Sequence, residues 1–82
     1  MNEARVLERI TLNPKIMTGK PVIRGTRLTV EYILNLLAQG TTPATIREEY
    51  AGLEEADIQA CLLFAVKALE TTTFMPLSLE PA

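Results

Sequence analysis

A chain of 82 residues makes one domain, and a chain this short buries only about 60–65% of the surface its unfolded form exposes, so its core needs support. Cys61 is the sole cysteine and histidine is absent. That excludes an intrachain disulfide, leaves too few donors for a usual zinc site, and makes oligomerisation the expected support, to which an apolar content of 48% is suited. The net charge of −2 argues against a general nucleic-acid binder.

Residues 1–20 hold no apolar run of the signal-peptide kind. The longest nearly apolar run, Ala60 to Val66, is far short of the ~20 residues that span a bilayer. The expected setting is soluble and cytoplasmic. Residues 1–8 read as an N-terminal segment, a short helix or a frayed end. Arg9 to Leu12 reads as extended, and Asn13-Pro14 marks a turn. Lys20-Pro21-Val22-Ile23 is a second extended piece, because Pro21 disfavours helix at the residue before it. Gly25 opens a tight turn, and Leu28 continues into a third extended piece. The first third is thus two or three short strands with glycine hinges at Gly19 and Gly25.

Helical periodicity begins after Thr29, whose hydroxyl can accept an orphan N–H of the first turn. Val30, Ile33, Leu34 and Leu37 fall on one face, and Gly40 stands where a C-terminal cap belongs, which predicts a helix over 30–39. Thr42 and Pro43 open a second, short helix that Gly52 ends. Ile46 and Tyr50 share its inner face, and Arg47, Glu48 and Glu49 face solvent. A third helix is expected over 55–70, with Glu54, Glu55 and Asp57 complementing the dipole at its start. Its stripe is Ile58, Leu62, Ala65 and Leu69, while Ala60, Leu63, Phe64 and Val66 fall largely outside it. A helix apolar nearly all round is buried on more than one side. A second subunit is therefore expected to cover Ala60, Leu63, Phe64 and Val66, making a homodimer or higher even oligomer. The tail over 71–82 carries Phe74, Met75, Leu77 and Leu79 between threonines and prolines, and Pro76 and Pro81 preclude a long helix.

The expected fold is therefore mostly α: a three-helix, helix-turn-helix (homeodomain-like) bundle over 9–70, preceded by short β strands or a hairpin. The third helix is a poor DNA reader, since it offers only Gln59 and Lys67 for base edges behind an acidic N-terminus. Charge is nonetheless segregated. Residues 1–30 hold six cations against two acids, and residues 31–82 hold two cations against eight acids. Gly19 to Arg27 is the most distinctive stretch. Its Lys20, Arg24 and Arg27 suit phosphate or carboxylate binding through Arg forks, and its glycines equally suit a structural hairpin with solvated cations. P-loop spacing is absent. Nothing points to catalysis: the commonest general base is missing, Cys61 sits on an apolar face as an inert core residue, and the carboxylates cluster at helix ends. The chain is read as no enzyme, with no cofactor and no metal.

The run from Ile10 to Leu69 resembles a widespread bacterial and archaeal family of short proteins long classed as a domain of unknown function. The resemblance rests on Asn13-Pro14, the unbroken block Gly19 to Val30, Ile33-Leu34, Leu37 to Gly40, Ile46, Tyr50, Leu53 and Asp57 to Ala60. It implies a homeodomain-like, winged-helix-type domain similar to antitoxins of the VapB kind, often encoded beside a PIN-like ribonuclease toxin. The tail after Leu69 lies outside the resemblance; from their apolar character Phe74, Met75 and Leu77 are the expected anchors for a toxin, and the operon is expected to be autoregulated. The alternatives are a DNA-binding transcriptional regulator that uses Lys20, Arg24 and Arg27 without a toxin partner, and a purely structural oligomerisation module.

Overall fold

The protein is described by a computed structural model over residues 2–71. Five residues, Glu3–Leu7, form α1, opened by Asn2, whose side chain accepts from the Arg5 N–H. Two short strands, β1 (Ile10–Thr11) and β2 (Val22–Ile23), pair antiparallel with Ile10 opposite Ile23 and Thr11 opposite Val22. The expected third extended piece contracts to a single bridge between Val22 and Thr29. Three helices follow: α2 (Val30–Ala38), α3 (Pro43–Glu49) and α4 (Glu55–Glu70). The described residues are thus mostly helical with one small hairpin.

Local chemistry sets most of these boundaries. The Thr29 hydroxyl accepts from the Tyr32 N–H at 3.0 Å, and the Thr42 hydroxyl accepts from the Thr45 N–H at 3.1 Å. Pro43 occupies the first turn of α3, where its missing N–H leaves nothing unpaired. Between β2 and α2 the chain reverses through Ile23–Thr26, closed by Thr26 N–H to the Ile23 carbonyl at 3.0 Å, with Gly25 at φ +80°. A side chain there would sit in the left-handed region even though nothing crowds the position, so the glycine is required by backbone conformation and not by space. Thr26 locks the turn, its hydroxyl donating to the Ile23 carbonyl at 2.8 Å and accepting from the Leu28 N–H at 3.0 Å.

The core is Ile23, Val30, Ile33, Ile46, Leu53, Ile58 and Cys61, with Ile10, Leu28, Leu34, Leu37, Tyr50 and Phe64 packed around it. Helix α4 is the spine, resting against α1, β1, α2 and α3. Its orientation corrects the sequence reading. Ala60 is wholly buried and Phe64 packs on the core, so neither belongs to an outer face. Leu62, Val66 and Leu69, at 47%, 50% and 61% exposure, form the outward apolar stripe, with Leu63 half-buried beside it. The helix is rotated by roughly a quarter turn from expectation. Two rows with near-identical spacing compete on α4: Ile58–Leu62–Ala65–Leu69 and Asp57–Cys61–Phe64. Periodicity alone favoured the row without an acid. Asp57 goes inward because it has a partner there.

Candidate functional site

The partner is Arg9, at the end of the N-terminal segment. Its guanidinium Nη1 lies 3.0 Å from Asp57 Oδ1 and 3.4 Å from Glu54 Oε1. The other Asp57 oxygen, Oδ2, accepts the Glu54 N–H at 2.8 Å. One carboxylate thus caps α4 and holds the start of the hairpin against it, which satisfies a buried acid on both oxygens. The same bonds raise the Arg9 pKa further, Asp57 first and Glu54 second. The Arg24 N–H donates to the Arg9 carbonyl at 2.8 Å, so the hairpin turn is tied to the same residue. Around this tie lies a polar cleft of about 380 Å³, lined by Arg5, Glu8, Arg9, Arg24, Glu54 and Asp57. In the sequence Asp57 reads as a dipole complement, and neither Arg5 nor Arg9 stands out as a site residue. The signal present was an acid three residues after Glu54, a spacing at which its side chain reaches back to the cap backbone.

The three cations proposed for nucleic acid lie in different surroundings. Lys20 pairs with Glu31 of α2 at 3.2 Å. Arg24 faces the polar cleft, and Arg27 borders a hollow with Met17, Leu28 and Tyr32. Arg24 and Arg27 are exposed, and among the described residues neither side chain has an ion-pair partner. The block Gly19 to Val30 also carries much backbone work. Ile23 N–H donates to the Leu28 carbonyl and Val30 N–H to the Pro21 carbonyl, both at 2.9 Å. Met17 and Thr18 precede it in the left-handed region at φ +50° and +54°, a conformation costly for a β-branched threonine.

Two apolar hollows flank Phe64 and Ala68 of α4. One, of about 340 Å³, is walled by Leu7, Ile10, Leu12 and Lys67; the other, of about 530 Å³, by Pro21, Leu34 and Ala38. Across the molecule, Tyr32 of α2 and Tyr50 after α3 meet edge to face at 6.0 Å and share a hydroxyl–hydroxyl bond, which raises the Tyr50 pKa. The toxin-anchor residues Phe74, Met75 and Leu77 lie outside the described residues.

Cys61 is wholly buried, and its thiol is pushed up to about 12 by burial first and by the Asp57 charge second. The reactive species is the thiolate. At pH 8 its fraction should be lower by roughly a thousandfold than for an ordinary thiol, so a thiol reagent should modify the native protein slowly and the urea-unfolded protein at once. Ready labelling of the native protein would contradict the burial. The stability consequence has a definite sign. The unfolded thiol ionises near 9 and the folded one near 12, so the contribution is complete below 9 and is lost as pH rises toward 12.

No three of Cys, Asp and Glu come together as a metal-binding group among the described residues, and no helix there is long and apolar enough to cross a membrane. The family model described as "Protein of unknown function (DUF433)" matches residues 10–65. No curated protein matches the chain. Among solved structures, the chain is similar to a DUF433 member protein from Anabaena variabilis ATCC 29413. That likeness has a TM-score of 0.72 and 25% identity over 82% of this chain and 67% of that one.

Proposed function

The chain belongs to the DUF433 family, and on that premise we propose that it is an antitoxin-like binding protein that performs no chemistry itself. It self-associates through the outward face of α4 and neutralises a PIN-like ribonuclease with its tail. What supports the self-association is the stripe of Leu62, Val66 and Leu69, left uncovered by the described residues. Leu63 stays in the proposed interface as a flanking contact; Ala60 and Phe64 leave it. The helices α2, α3 and α4, with the Gly52 turn between the last two, serve in this reading as a homeodomain-like helix-turn-helix framework. The cell compartment is taken as the cytoplasm.

The test is inhibition of RNA cleavage by a purified PIN-like ribonuclease. The full chain should abolish RNA cleavage at equimolar ratio. The triple variant Phe74→Ser, Met75→Ser, Leu77→Ser should lose at least about a thousandfold in affinity, because each anchor removes apolar burial of about 1.5 kcal/mol or more. Full inhibition by the triple variant would remove the tail from the reading, and no inhibition by the full chain would remove the antitoxin role.

The second reading, a DNA-binding autorepressor, is favoured by one observation: Arg24 and Arg27 are exposed and unpaired among the described residues. Lys20 is the weakest member of that set, since Glu31 already neutralises it. In this reading Arg24→Glu with Arg27→Glu abolishes operator binding, wild-type affinity falls steeply with salt, and ribonuclease inhibition is untouched.

A further inference from the structure

We infer that the second copy lies antiparallel on α4, with Leu62 of each chain against the partner's Val66 and Gln59 against the partner's Leu69. The self-association itself is the one proposed above; its direction and register follow from the outward face of the helix. Gln59, Leu62, Val66 and Leu69 are all exposed there. They follow one another at spacings of three, four and three residues. That alternation is the 3.5-residue repeat of a seam that packs along another helix. The seam carries no charge. Exposed acids bound it, Glu55 before it and Glu70 after it. A patch apolar in the middle and alike at both ends meets its own copy about a two-fold axis.

Charge decides the direction. In a parallel pair each Glu55 would face the partner's Glu55 and each Glu70 the partner's Glu70, and the two helix dipoles would lie with like ends together. Turned antiparallel, the dipoles oppose, and Glu55 comes level with a point beyond the partner's Glu70, where α4 has ended.

The seam residues decide the register. Centring the axis between Leu62 and Val66 gives every seam position a seam position opposite. Moving it to lie between Val66 and Leu69 sends Gln59 and Leu62 past the end of the partner's helix. Moving it the other way, between Gln59 and Leu62, sets Val66 against the partner's Glu55. In the central register the helices overlap over 58–70, about 18 Å. The Gln59 amide then lies beside the last turn of the partner's α4, whose end carbonyls have no partner inside the helix.

The experiment is cysteine pairing across the seam. Full-length Gln59→Cys and Leu69→Cys chains are oxidised separately and mixed, and the dimer fraction is read first by light scattering. Both positions are exposed, so the substitutions leave the core intact. Cys61 is wholly buried, and the wild type serves as the unlinked control. In the mixture a disulfide between the two variants is expected to form at least about tenfold faster than in either variant alone. Antiparallel copies hold Leu69 about 15 Å along the axis from the partner's Leu69, well beyond the ~7 Å between Cα atoms that a disulfide bridges. Fast self-linking of Leu69→Cys alone would mean a parallel pair, and a dimer in which no combination links would mean that another surface holds the copies. Either result overturns the antiparallel seam and leaves self-association standing. A monomer at every concentration would remove both.

Discussion

Replacing Ile33 by alanine is expected to remove a large part of the protein's stability, about 3 kcal/mol. Ile33 is completely buried in the middle of α2, facing the core of Ile23, Ile46, Ile58 and Cys61. Truncating such a side chain costs about 2–5 kcal/mol, the transfer term plus the cavity that remains. At roughly 0.05–0.15 kcal/mol per residue, a chain of 82 residues has a total stability of about 4–12 kcal/mol. One substitution therefore approaches the threshold at which an unfolded fraction is seen without denaturant. Urea titration followed at 222 nm, at fixed protein concentration, reads the effect, and Ile33→Val should lose only about 1 kcal/mol. A loss below 1 kcal/mol for Ile33→Ala would mean that α2 does not pack on this core as described.

The second large effect concerns assembly. The wild-type protein is expected to be a dimer by light scattering at both low and high salt, because the contacts are apolar. Leu62→Asp with Val66→Asp should convert it to a monomer of unchanged helical content. Leu62 and Val66 are about half exposed, so covering each is worth about 1 kcal/mol, and a two-fold interface counts every substitution twice, so the dissociation constant rises by roughly a thousandfold. Ala60→Asp is the informative contrast. Ala60 has no exposed surface, so an aspartate there should unfold the protein instead of separating subunits. A wild-type monomer, or a double variant that stays dimeric, would remove the α4 stripe from the interface.

These two experiments divide along the line between local and tertiary determination. Helix starts and stops were legible because each is decided within a few residues: Thr29 and Thr42 accept N–H groups three positions on, Pro43 suits a first turn, and Gly25 supplies a left-handed φ. The inward side of α2 was equally plain, since its Val30–Ile33 row has exposed Glu31, Tyr32 and Asn35 opposite. The left-handed Met17 and Thr18 carried no such signal, because neither residue type favours that region.

For α4, composition established that the helix is apolar on two sides, but not which side faces the core. That choice rests on residues far apart in the chain. Arg9 reaches Asp57 across 48 positions, and a buried carboxylate is tolerable only where such a partner waits. The charged cleft and the two hollows beside Phe64 are likewise assembled from α1, β1, the hairpin, α2 and α4. Sequence by itself determined the elements, their order and the presence of surplus apolar surface, because these follow from short-range hydrogen bonding and periodicity. Only the tertiary structure decided the rotation of α4, and with it which leucines meet the core and which meet another molecule, because one long-range ion pair breaks the near-symmetry between two equally spaced rows.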